Sequence, residues 1–166
     1  MKKKGDSMSP VRGSQIDLAA LLARGNSWHN IPGRDSADFI NAALLAMSEP
    51  GLPDRRFLAE SIIKREQASS TAMGNGLAFP HPLASACDLI GESFVAVTYP
   101  RFPILWGVPA GIPVRAAFFV VCGDRHEHLL TLSALAKLCS RNEIRNALLE
   151  EASICELIDL IDSKSS

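Results

Sequence analysis

His81 lies between Pro80 and Pro82, at the end of the run Gly74-Asn75-Gly76-Leu77-Ala78-Phe79. Pro80 fixes its own φ and has no N–H, and Pro82 drives the histidine before it out of the helical region, so the imidazole is carried on a stiff, extended stalk. A neutral imidazole is nucleophilic near pH 7 when a hydrogen bond holds one ring nitrogen and leaves the other free. Taken alone, Pro-His-Pro reads better as a strand terminator with a surface ring. Other residues must decide.

Arg65 shares a helical stripe with Leu58 and Ile62, seven and three residues earlier, which turns its guanidinium toward the body of the protein. The helix dipole and the last carbonyls would by themselves account for an arginine there. His128 falls in the first turn of a helix opened by Asp124, where Glu127 completes a capping-box-like pattern. His126 and His128 diverge by about 200° on a helix and are not expected to share a metal ion. His29 lies in or beside a short strand and is expected to be exposed or hydrogen-bonded. Cys87, Cys122, Cys139 and Cys155 are widely spaced with no C-x-x-C pair, so neither a zinc knuckle nor a dithiol redox motif is written, and those in apolar stretches read as core residues. The small, polar stretch 69–76 lets backbone approach a ligand. It lacks the G-x-G-x-x-G fingerprint and the Walker Lys-Ser/Thr, so nucleotide binding has little support. No cofactor and no metal are expected.

The elements that must position these residues can be read from the pattern. Residues 16–23 suit a short helix and 27–31 a first strand. A helix follows Asp35 or Ser36, with Phe39, Ile40, Ala43, Leu44 and Met47 on one face, and ends before Pro50-Gly51; a second begins at Asp54. Residues 77–79, 93–98 and 114–121 read as strands, the last two separated by an excursion through Trp106-Gly107 and Ala110-Gly111. Helices are expected from Asp124 to near Ser140, over 142–150, and from the Ser153-x-x-Glu156 capping box toward Asp162. After a short leading helix the order is β-α-α-β-β-β-α-α-α. Such segregation predicts an α/β fold, a three-layer α/β/α domain around a mixed central sheet whose apolar strands are covered on both faces.

The 166 residues fit a flexible tail over 1–14 and a single domain over 15–166. Net charge is −1, but the tail holds four Lys/Arg and one Asp, leaving 13 basic against 17 acidic residues, or −4, for the remainder. A mildly acidic body excludes nucleic acid as an expected partner. No apolar run approaches ~18 residues, and Lys2 to Lys4 lead into Gly-Asp-Ser, not into an apolar signal core. A cytoplasmic protein without membrane insertion is expected.

Arg65-Glu66, Ser70-Thr71 and the run from Gly74 to His81 together resemble the active-site signature of enzyme IIA domains of the bacterial phosphoenolpyruvate–sugar phosphotransferase system, fructose/mannitol class. Glu127-His128-Leu129, running into Leu132-Ser133-Ala134-Leu135-Ala136, resembles that family's second active-site helix. The resemblance covers nearly everything from residue 15 onward. It looks closest to the stand-alone nitrogen-regulatory branch, since no transporter IIB or IIC segment is attached. It implies that His81 accepts a phosphoryl group from the phosphohistidine of a small carrier, HPr or its nitrogen-branch counterpart. Arg65 would supply a planar fork to the transferring oxygens, and His128 a neutral N–H donor at an anion-favouring helix start. The phosphoryl group would then pass to a IIB domain, or act as a signal that changes affinity for a regulatory target protein. Ser69 and Ala72 stand where relatives commonly have glycine, which predicts a differently shaped loop. Pro82 stands where glycine is frequent and removes an N–H that could face a phosphoryl oxygen, and no acidic residue precedes Gly111. A retired active site that only binds, and the IIA component of a sugar permease, are the alternatives left open.

Overall fold

The architecture follows from two apolar strands in the middle of the chain. Every residue of β3 (Phe94–Pro100) and β4 (Ala116–Val121) is buried, and because side chains alternate across a strand, each strand needs an apolar layer on both sides. Val95, Val97, Tyr99, Phe118 and Val120 join one core; Phe94, Ala96, Phe119 and Val121 join the other. The computed structural model describes residues 15–47, 52, 54–107 and 113–164. The tail, the Pro50-Gly51 break and the Ala110-Gly111 turn lie outside the described residues.

Helix α1 (Leu18–Gly25), α4 (Arg125–Cys139), α5 (Asn142–Leu149) and α6 (Ile154–Asp162) supply Leu22, Leu135, Ile144 and Leu157 to the first core. Helices α2 (Ser36–Ala46) and α3 (Arg55–Ala68) supply Phe39, Leu44, Leu58 and Ile62 to the second. With β1 (Ser27–Ile31) and β2 (Leu77–Ala78), the sheet order is β1-β3-β4-β2. β3 and β4 are antiparallel, while the two outer pairs are parallel. This is the expected three-layer α/β/α arrangement with a mixed sheet. α1 crosses β3 so closely that a Cβ on Gly25 would lie 2.1 Å from the Val95 carbonyl oxygen.

Local chemistry sets the helix starts. Asp17, Asp35 and Asp54 each accept a first-turn N–H, and Ser153 with Glu156 forms a complete capping box. The Asp124 box is only half made. Asp124 caps the Glu127 N–H at 2.9 Å, but the Glu127 carboxylate turns away to accept from Ser93 Oγ, tying the start of α4 to the residue before β3. Some expected boundaries also move. β2 stops at Ala78, and the Phe79 N–H bonds back to the Thr71 carbonyl. Val114 makes an isolated bridge with Ile104 ahead of β4. A 3-10 helix over Ala84–Leu89 was not anticipated, because its small and polar residues carry no helical periodicity. None of the described helices is long and apolar enough to cross a membrane.

Candidate active site

His81 is pinned from several sides. The Pro80 carbonyl accepts from the Val120 N–H of β4 at 3.0 Å, and the Leu83 N–H donates to Ser61 Oγ of α3 at 3.0 Å. The two prolines are thus anchored to neighbouring layers, and the histidine between them is 8% exposed. Its Nδ1 lies 2.7 Å from the Phe79 carbonyl oxygen. A carbonyl can only accept, so Nδ1 carries the proton and Nε2 keeps a lone pair.

The Phe79 carbonyl is itself positioned by a relay that starts on α3. Glu66, 9% exposed, accepts from the Thr71 N–H at 2.9 Å and from Thr71 Oγ1 at 2.6 Å. The Thr71 carbonyl accepts from the Phe79 N–H at 3.1 Å, and Ala72 bridges Ala78. Trp106 Nε1, from the excursion between β3 and β4, donates to the same carboxylate at 2.8 Å. Neither Ser69 nor Ala72 takes a positive φ. Ser69 is extended at φ −165°, and the left-handed positions are Gly74 and Gly76, at φ +75° and +85°, where glycine is retained.

Arg65, His81 and His128 meet in one cleft of about 260 Å³, which Pro82, Arg125 and Leu129 also line. The two imidazole centroids are 4.8 Å apart. Arg65 does both things its sequence position allowed: it donates to the Ser69 carbonyl at the end of α3 at 2.8 Å and borders the cleft. Burial pushes the His81 pKa below its usual range, with Arg65 adding to the effect against the Phe79 hydrogen bond. Burial, then His81, then Arg65 lower His128 to about 4. Burial first, and the neighbouring nitrogen groups after it, disfavour a positive charge on either ring, so both imidazoles are neutral near pH 7. The chemistry available is attack by an uncharged Nε2 on an electrophile whose negative charge the guanidiniums of Arg65 and Arg125 would face.

Residues 22–164 match the family described as "Phosphoenolpyruvate-dependent sugar phosphotransferase system, EIIA 2". The chain belongs to this EIIA family. The IIA domain is 30% identical to a nitrogen regulatory protein of Pseudomonas aeruginosa, over 80% of this chain and 86% of that one. It is also 30% identical to the fructose-specific EIIABC component of Bacillus subtilis over 89% of this chain, but spans 23% of that component's length. Its fold superposes on the nitrogen regulatory protein IIA-Ntr of Neisseria meningitidis with a TM-score of 0.70, at 24% identity, covering 85% of this chain and 96% of that one.

Within the IIA domain, sequence reasoning missed Arg125, although Arg125, His128 and Leu129 fall on one helical face at i, i+3 and i+4. It also missed the reach of Trp106 to Glu66, a separation of 40 residues that no spacing rule connects. Cys87 and Cys122 line the same cleft. They are buried, as expected of core thiols, and burial pushes both upward in pKa, Cys122 to about 11. Cys139 is buried too, while Cys155 is exposed. His126 is exposed, and among the described residues no three His, Cys, Asp or Glu side chains converge as metal ligands. His29 is exposed, its ring tilted 34° against Tyr99 and its Nδ1 3.8 Å from Glu151.

Proposed function

We propose that this IIA domain is a phosphohistidine carrier that accepts a phosphoryl group on His81 Nε2 from a phosphohistidine protein of the HPr type and acts mainly in regulation. The Nδ1 hydrogen bond to the Phe79 carbonyl is the observation that carries the reading, because it selects the ring nitrogen and holds the ring still. In the transfer, the donor's P–N bond breaks and its imidazole keeps the electron pair. The new P–N bond forms from the Nε2 lone pair, and the Nδ1 proton stays on its hydrogen bond. The step needs positioning and charge stabilisation. Arg65 supplies the fork and His128 a neutral N–H. Pro82 offers no amide, and the next one, of Leu83, is engaged by Ser61, so neither of these two positions donates to the phosphoryl oxygens. Once added, the group brings negative charge and three strong acceptor oxygens to the cleft, enough to change which proteins dock there. Similarity to a nitrogen regulatory protein over most of both chains supports regulation as the output, and a cytoplasmic location follows from that role.

Phosphoryl transfer from phosphoenolpyruvate through enzyme I and a carrier, read by intact mass, tests the assignment. One alkali-stable, acid-labile adduct is expected on the native chain and none on His81→Ala. Arg65→Ala and His128→Ala should remain folded by circular dichroism and label more slowly. Labelling of His81→Ala, or no adduct with either the sugar-branch or the nitrogen-branch carrier, refutes the proposal.

A further inference from the structure

A second concave site is lined by residues of β2 and α5 and shares no residue with the His81 cleft. β2 is an edge strand, and between it and α5 runs a pocket of about 290 Å³. Asn142, Arg145, Asn146 and Leu149 face it from α5 at i, i+3, i+4 and i+7, one continuous helical stripe. Asn75 and Arg115 face it from the sheet side. Asn75 sits between Gly74 and Gly76, both left-handed, so its carboxamide is carried on a tight turn. Gly76 leaves the backbone bare at the pocket wall, and its carbonyl accepts from the Arg115 N–H at 2.7 Å. Two guanidiniums and three carboxamides therefore converge on one concavity beside an apolar wall that includes Leu77 and Leu148.

The cations there are uncompensated. Among the described residues, neither Arg115 nor Arg145 belongs to an ion pair, and Arg145 is oriented by its bond to Asn142 Oδ1. On a solvated helix face an arginine can be met by an i±4 carboxylate, as Arg56 of α3 is by Glu60. Here the i±4 positions of Arg145 are Arg141 and Leu149.

We propose that this pocket binds a small organic dianion, its carboxylate or phosphate head held by Arg115 and Arg145 and its carbon skeleton laid on the leucine wall. Guanidinium forks suit either head group, and the asparagines can both donate to it and accept from neighbouring hydroxyls. The volume lies just below the ~300–1,000 Å³ usual for small-molecule sites, which limits the ligand to metabolite size. The site stands independently of the chemistry proposed for His81.

The test is a titration of the full ¹⁵N-labelled chain with succinate, citrate, glycerol 3-phosphate and inorganic phosphate, followed by the side-chain amide signals of Asn75, Asn142 and Asn146. At least one organic dianion should give saturable shifts of these signals below about 5 mM. The shifts should survive in His81→Ala and weaken about tenfold or more in Arg115→Ala and in Arg145→Ala, whose side chains are exposed and whose loss leaves the cores intact. A carboxylate or a phosphomonoester as the tighter binder identifies the head group. Shifts confined to the His81 and His128 cleft, unchanged affinity in both arginine variants, inorganic phosphate binding as tightly as every organic probe, or no saturation by any probe overturns the proposal.

Discussion

Replacing Glu66 tests the idea that the active-site loop hangs from one buried carboxylate. Glu66→Ala strands three donors: the Thr71 N–H, the Thr71 hydroxyl and the Trp106 indole N–H. Each unsatisfied buried donor costs about 1–3 kcal/mol. The hydroxyl can rotate to another partner and Glu66 is 9% exposed, so the lower part of that range applies and the sum is about 3–4 kcal/mol. For a chain of this size, 1 kcal/mol moves Tm by roughly 2–4 °C, which gives a loss of about 6–16 °C. Glu66→Gln behaves differently. Its oxygen can take over both bonds now made to Oε1, and its NH₂ can donate to Thr71 Oγ1 once that hydroxyl turns, so the loss is about 1 kcal/mol. Urea and thermal unfolding by circular dichroism measure both. A Glu66→Ala protein within about 1 kcal/mol of the parent, or a Glu66→Gln protein as unstable as the alanine variant, would show that this hydrogen-bond account is wrong.

Acid should weaken the fold in a specific window. Both cleft histidines have folded pKa values below the unfolded value near 6.5, His128 at about 4, so the unfolded chain binds more protons between these limits and stability falls as pH drops from about 6.5 toward 4. The carboxylate of Glu143, lowered to about 2 by its hydrogen bonds to Lys164, to its own backbone and to Arg141, lends stability that is fully present above its unfolded value near 4.5 and is lost only below it, outside the upper part of that window. Urea midpoints at pH 7.5 and 5.0 should therefore differ in the parent and differ less in a His81→Gln/His128→Gln variant; equal pH dependence would contradict the burial of neutral rings. Gly25→Ala places a Cβ against the backbone of Val95 and Ala96, atoms that cannot rotate away, and should cost about 3 kcal/mol or more. A denaturant midpoint unchanged from the parent would mean that α1 does not approach β3 so closely.

Much of this molecule was legible along the chain because the governing interactions are local. Asp35, Asp54, Asp124 and Ser153 announce their helices through bonds spanning two or three residues. The near-continuous apolar runs of β3 and β4 required cover on both faces, and the segregated helix groups supplied two layers. The stiff presentation of His81 was written in its two prolines, and the placement of Arg65 on the stripe of Leu58 and Ile62 pointed it inward. Where local logic misled, a distant partner had won. Glu127 left the capping box for Ser93, 34 residues away, and Phe79 left the β2 ladder for Thr71.

The sequence by itself determined the layers, the element order, the candidate nucleophile and the family, since each rests on periodicity, caps and contiguous motifs. Tertiary structure alone decided which nitrogen of His81 is free, because that depends on the carbonyl of Phe79 standing 2.7 Å from Nδ1. It also decided that His81 and His128 share a cleft as neutral rings, that Trp106 and Thr71 meet on Glu66, and that Asn75, Arg115 and Arg145 converge at the open edge of the sheet. These are meetings between elements far apart in sequence, and no spacing rule encodes the register in which packed layers bring them together.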